Sequence, residues 1–224
     1  MSTFTPTKSE GATAKPAPML YIDPACQVDD DSLAAQTPLE GMNSVFVADL
    51  LSAILTHERC GTHLYRSVAG RSQNPLLKER YEHFGDETAN HVEILEALIT
   101  ESGGNPNYVS AMARATEGAD NRILESTFIL DGSIDPMTSE MAMLDAVYLA
   151  ESVDHANWQT MADLTASMPE GALRDSFQGA VDKVEAQEDE HLEWARTTRA
   201  RLVALQAESG SAATVGIDTE EVGR

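Results

Sequence analysis

Cysteine is scarce in this chain of 224 residues, where only Cys26 and Cys60 occur. Two thiols cannot build a disulfide framework or a zinc ribbon. Aromatic residues make up only 5% of the chain, and no apolar run approaches the roughly 18 residues needed to span a bilayer. Basic residues number 15 against 37 acidic ones, a formal net charge of −22. This argues against nucleic-acid binding, which draws most of its affinity from a basic footprint, and against anionic membrane surfaces. It favours solubility and attracts cations. The opening stretch MSTFTPTKSEGATAKPAPML has no apolar h-region of a secretory signal. The expectation is a soluble, cytoplasmic protein.

Apolar residues account for 42% of the chain, enough for a sizeable core, and frequent Ala, Leu, Glu and Met lean towards helix. Five of the nine prolines (Pro6, Pro16, Pro18, Pro24 and Pro38) precede residue 42. Residues 1–41 are expected to form an extended or disordered arm, and 208–224 a flexible tail. Between them, over 42–207, four segments repeat apolar residues at helical spacing. The first spans about 43–68, with Val47, Leu51, Ile54 and Tyr65 on its stripe. The second opens at Asn74-Pro75, a cap followed by a first-turn proline, and stops at Gly103-Gly104. The third opens at Asp135-Pro136 and ends near Met168-Pro169; the fourth begins near Gly171 and carries Phe177, Val181, Val184 and Leu202. Short loops within each pair predict antiparallel hairpins. The link between the pairs, 104–134, is long enough to cross a bundle and should hold a short helix near 121–130. The expected fold class is all-α: a four-helix bundle of two antiparallel hairpins joined by a long crossover.

Each stripe is broken near its middle by acidic groups and histidines. Glu58 falls between Ile54 and Tyr65, and Glu87 with His91 between Phe84 and Leu95. Glu151 with His155 falls between Val147 and Trp158, and Glu188 with His191 between Val184 and Ala195. One such residue alone reads as a helix-edge group reaching water. Four interruptions at a common depth read differently, because buried carboxylates repel one another unless a cation neutralises them. Carboxylates and imidazoles around a bundle axis suit one or two metal ions. His57, His63 and His83 fall off the stripes and are expected at the surface or rim.

The stretches ILTHERCGTHLYR, HFGDETANHVEILEALI, DAVYLAESVDHANW and VEAQEDEHLEWAR resemble the four metal-bearing helices of the ferritin-like superfamily of di-iron and di-manganese carboxylate proteins, which includes rubrerythrin, bacterioferritin and manganese catalase. The family pattern is Glu, Glu-x-x-His, Glu, Glu-x-x-His. Glu58, Glu151 and the pair Glu188/His191 match it; Glu87 and His91 stand four apart instead of three, and His155 is an additional candidate. The resemblance implies Glu58 and Glu151 as terminal or bridging ligands. It implies Glu87 and Glu188 as bridges, and His91 and His191 as one imidazole for each ion. His155 is expected as a ligand or as a partner of a buried carboxylate. Tyr65 and Tyr148 lie near these positions, and the simpler reading of both is a core tyrosine with a satisfied hydroxyl.

A thiolate-free set of carboxylates and imidazoles suits two iron ions, or manganese. The expected activity is that of a dinuclear metal oxidoreductase, a ferroxidase or peroxidase-like protein acting on Fe(II), oxygen or peroxide. The alternatives are an iron-storage or encapsulated cargo protein, a manganese catalase or a substrate oxygenase; an interaction bundle without metal is the least favoured. No rubredoxin-type pair of Cys-x-x-Cys motifs is present. A homo-oligomer is expected, with a shell of other subunits as the partner that the cargo reading would require.

Overall fold

The computed structural model describes residues 4–7, 11–14, 39, 41–129 and 135–209. The rest of the expected N-terminal arm, Cys26 included, and the tail beyond 209 lie outside the described residues. A short hairpin pairs β1 (Phe4–Thr7) with β2 (Gly11–Ala14) in antiparallel register. Everything else of regular structure is helical: α1 (Ser44–Arg71), α2 (Pro75–Glu101), α3 (Ala111–Ser126), α4 (Pro136–Ser167) and α5 (Ala172–Ser209). None of the described helices is long and apolar enough to cross a membrane.

The helix starts follow from local chemistry. Asn74 accepts from the backbone N–H groups of Leu76 and Leu77, and Asp135 from those of Met137 and Thr138. In both cases proline follows as the first helical residue, where its missing N–H costs nothing. Gly103, with φ +78°, takes the left-handed conformation just past the end of α2. The link helix differs from the expected 121–130: α3 begins at Ala111 and ends at Ser126. Ser110 starts it, its Oγ accepting from Ala113 N at 3.0 Å. The run Ala111-Met112-Ala113-Arg114 has high helix propensity, but this end of the helix buries only Ala113 and Glu117, and the large apolar residues Ile123 and Leu124 drew the expected helix too late.

Contacts between side chains fix the directions of the long helices. A Cβ at Gly61 would meet Thr88, and Tyr65 packs on Phe84, so α1 and α2 run antiparallel. His155 lies beside Asp189 and Asp145 bonds Arg199, so α4 and α5 do the same. Glu58 meets Trp158 and Tyr65 meets Glu151 across α1 and α4, while His91 meets Gln187 and Glu87 meets His191 across α2 and α5. Helix α3 lies against α1 and α4. Gly85 is required where α2 crosses Tyr65, because a Cβ there would stand 3.0 Å from the tyrosine Cβ.

The apolar core forms two clusters. One includes Tyr65, Val68, Leu77, Phe84, Leu144, Val147 and Trp194; the other includes Leu51, Ile54, Leu95, Trp158, Met161, Phe177, Val181 and Val184. Leu39 belongs to the second cluster, so packing begins ahead of α1. On every stripe the residue on one side of the polar centre belongs to one cluster and the residue on the other side to the other. The polar groups therefore lie between two dry blocks.

One buried carboxylate has a purely structural role. Glu140, 4% exposed, accepts at Oε1 from the backbone N–H groups of Gln73 and Asn74 and from Ser72 Oγ, tying the α1–α2 turn to α4. Hydrogen bonds to a charged group contribute about 1.5–3 kcal/mol. Glu140→Ala should lower stability by an amount of that order in denaturant titrations and leave metal uptake unchanged.

Candidate metal centre

The four stripes share one rhythm: apolar, centre, centre, apolar, at steps of four, three and four residues. On α1 it is Ile54, Glu58, Gly61, Tyr65; on α2, Phe84, Thr88, His91, Leu95. On α4 it is Val147, Glu151, Asp154, Trp158; on α5, Val184, Glu188, His191, Ala195. Steps of three and four keep side chains on one helical face. Each helix therefore delivers two positions to the centre, filled by Glu and Gly, Thr and His, Glu and Asp, and Glu and His.

Two ligand triads result. Glu58, His91 and Glu188 bring one ligand atom each to within 4.8 Å of one another, and so do Glu151, Glu188 and His191. Glu188 belongs to both. All five residues are buried, none more than 3% exposed. The imidazole planes are nearly parallel, with centroids 6.0 Å apart. His91 Nδ1 stands 3.0 Å from Glu188 Oε1 and 3.6 Å from Glu58 Oε2; His191 Nδ1 stands 3.4 Å from Glu151 Oε2 and 3.6 Å from Glu188 Oε1.

The outer oxygens of the two flanking carboxylates are held by aromatic donors. Trp158 Nε1 donates to Glu58 Oε1 at 2.7 Å, and Tyr65 OH donates to Glu151 Oε1 at 2.6 Å. The inner atoms have no aligned hydrogen bond. Glu58 Oε2, Glu151 Oε2, both oxygens of Glu188, Asp154 Oδ1 and the Nδ1 atoms of His91 and His191 are all buried and unpartnered. Seven unpartnered polar atoms in one place would be costly in an apolar interior. They are the atoms that metal coordination would satisfy. Four carboxylates with two neutral imidazoles carry four negative charges, which two divalent cations balance. The residues present therefore fit a pair of metal ions.

The structure differs from the sequence expectation at two residues. Glu87 is off the stripe; Thr88 takes the place three residues before His91, and the Glu87 carboxylate lies on the outer side, 2.9 Å from His191 Nε2. His155 is likewise off the stripe and faces Asp189 Oδ1 at 3.2 Å and Gln159 at 2.8 Å. Asp154, which sequence reasoning passed over, is the centre residue of that turn. It is 4% exposed, and burial, followed by Glu58, Glu188 and Glu151, pushes its carboxyl well above the usual range. Its spacing of three from Glu151, against four for His155, was the available signal.

His63 and His83 are exposed as expected, but His57 is not. It is 2% exposed, with Nδ1 2.9 Å from Asp120 Oδ2 and Nε2 3.2 Å from the Ala150 carbonyl. Helix α3 covers that face of α1, which the α1 period could not reveal. The same cover and the acids of α3 push the Cys60 thiol up to about 12, and Cys60 belongs to neither triad.

Without metal, protons must relieve the centre. Burial raises the Glu188 carboxyl from 4.5 to about 7, opposed by His91 and reinforced by Glu151 and Glu58. Burial alone would lower both imidazoles from 6.5. Glu188 and Glu58 outweigh it and bring His91 to about 10, and Glu151 and Glu188 bring His191 to about 9. A raised value means the fold prefers the protonated group. Its contribution is complete below the unfolded value and is lost as pH climbs through the folded one. The melting temperature of the metal-free protein should therefore fall between pH 6.5 and pH 10, while the increase produced by added Mn(II) grows over the same range. A melting temperature that rises with pH there would contradict this charge balance.

Comparison with protein-family models, with curated proteins and with solved structures finds no match to this chain, so the reading of the centre rests on its own geometry.

Proposed function

We propose that the chain is a ferritin-like four-helix bundle that binds two iron or manganese ions and works as an oxidoreductase on Fe(II), dioxygen or peroxide. The observation that carries this reading is the pair of buried triads joined by Glu188, with every inner ligand atom unpartnered. When bound, two redox-active ions supply the electrons that reduce dioxygen or peroxide. The absence of thiolate from the donor set favours iron or manganese over a structural zinc site.

The residues around the centre have separable tasks. Glu188 belongs to both triads, with Oε1 3.0 Å from His91 Nδ1 and 3.6 Å from His191 Nδ1, so its carboxylate would be shared between the two ions. His91 and His191 would each supply one nitrogen ligand, one to each triad. Trp158 and Tyr65 hold the outer oxygens of Glu58 and Glu151, which would keep the inner oxygens aimed at bound metal ions. The Tyr65 hydroxyl also keeps a proton 2.6 Å from Glu151 Oε1. Burial, then Glu151, raises that hydroxyl well above its ordinary value, which keeps the proton in place. The Phe84 ring, 4.1 Å from that of His191, and the apolar clusters on either side exclude water. The surplus of acidic residues raises the local concentration of Fe(II).

Metal content of the reconstituted protein tests the reading. The intact chain should hold two ions, by mass spectrometry of the metal. Glu58→Ala should lose one ion, whereas Glu188→Ala should lose both, because its carboxylate is shared. The loaded protein should consume oxygen when Fe(II) is added. A well-folded protein that takes up no Fe(II) or Mn(II) would overturn the proposal.

A further inference from the structure

The outer face of the centre holds a hydrogen-bonded chain that links both imidazoles. Gln187 Nε2 donates to Glu87 Oε1 at 2.6 Å. His91 Nε2 lies 3.0 Å from Gln187 Oε1, and His191 Nε2 lies 2.9 Å from Glu87 Oε2. Glu87 immediately precedes the centre position Thr88 on α2, and Gln187 immediately precedes Glu188 on α5. Because the two helices are antiparallel, each residue reaches the histidine of the opposite helix.

The chemistry of the chain fixes its proton positions. A carboxylate can only accept, so the Gln187 amide must turn its NH2 to Glu87 and its oxygen to His91. That oxygen and Glu87 Oε2 then both accept, so each imidazole carries its hydrogen on Nε2. Each Nδ1, on the inner side, carries a proton in the metal-free protein and would supply its lone pair to a metal that takes the proton's place. A glutamate at both positions would set two like charges against each other, whereas one amide between a carboxylate and an imidazole satisfies every group.

We propose that Glu87 and Gln187 are a positioning pair that locks both imidazoles with Nε2–H outward and Nδ1 towards the metals, so that Glu87 acts on the centre through His191 without being a ligand. This rests on the two-metal reading above. Carboxylate and amide partners of ligating histidines commonly contribute tenfold to hundredfold in metal affinity. The effect is divided unequally here. Glu87 serves His191 directly, whereas Gln187 serves His91 directly and also supports the Glu87 carboxylate.

The test uses the full chain with histidine labelled by 15N and Zn(II) as a diamagnetic probe. Besides the signal of His57, buried against the Ala150 carbonyl, the wild type should show two slowly exchanging imidazole Nε2–H signals, those of His91 and His191, and bind two Zn(II) ions. Glu87→Ala should lose the protection of one signal and weaken one of the two ions by about tenfold to hundredfold. Glu87→Gln, which keeps one accepting oxygen for His191 but turns an NH2 to the Gln187 NH2, should restore the protected signal and only part of the affinity. Gln187→Ala should expose the other signal and weaken binding at both positions. Variants that retain both protected signals and wild-type Zn(II) affinity would overturn the positioning role. Loss of binding in Glu87→Gln equal to that in Glu87→Ala, with both signals intact, would overturn it in favour of Glu87 as a ligand. A folded wild type that takes up no Zn(II) would overturn the metal reading, and the role of the pair with it; this outcome is distinct because it appears before any substitution.

Discussion

Four carboxylates and two imidazoles sit in the middle of an apolar interior, and the architecture is arranged around their charge. Glu58, Glu151, Asp154 and Glu188 would repel one another at neutral pH, and an isolated buried carboxylate costs several kcal/mol or takes up a proton instead. Protons on His91, His191, Glu188 and Asp154 provide one solution, and two divalent cations provide another. The two would compete for the same centre, which would couple metal binding to pH and to stability.

The rest of the molecule keeps this arrangement dry and in register. The two apolar clusters flank the centre along the helix axes, and Trp158, Tyr65, Glu87 and Gln187 hold it from the sides through hydrogen bonds. Helix α3 covers the α1–α4 face, where His57 joins Asp120 to the backbone of α4. Glycine appears where two helices close: a Cβ at Gly61 would stand 3.1 Å from Thr88, and one at Gly85 would stand 3.0 Å from Tyr65. The interior is asymmetric as a result. The position that Glu188 fills on α5 is filled on α2 by Thr88, and the extra carboxylate comes from α4 as Asp154.

Most of the helical framework was legible in the sequence because its signals are local. Asn74-Pro75, Asp135-Pro136 and Gly103 marked helix ends by capping chemistry, and the apolar period marked the faces of α1, α2, α4 and α5. Glu58, Glu151, Glu188, His91 and His191 were legible because they interrupt those faces. The phase of the period misled at single residues. Glu87 and Thr88, or Asp154 and His155, differ by one position, or 100° of rotation, and a preference for familiar ligand types selected the wrong member of each pair. Helix α3 and the burial of His57 were not legible. Both depend on how a helix whose buried residues are Ala113 and Glu117, with no large apolar side chain among them, docks on a distant face, which no single helical period records.

Anomalous diffraction from crystals loaded with iron or manganese tests the central claim most directly. The account predicts two metal peaks per chain, about 3.5–4 Å apart as in other two-metal sites, one on each side of the Glu188 carboxylate, with the Nδ1 atoms of His91 and His191 as ligands. A single peak, or metal only at the acidic surface with the inner carboxylates unligated, would contradict it.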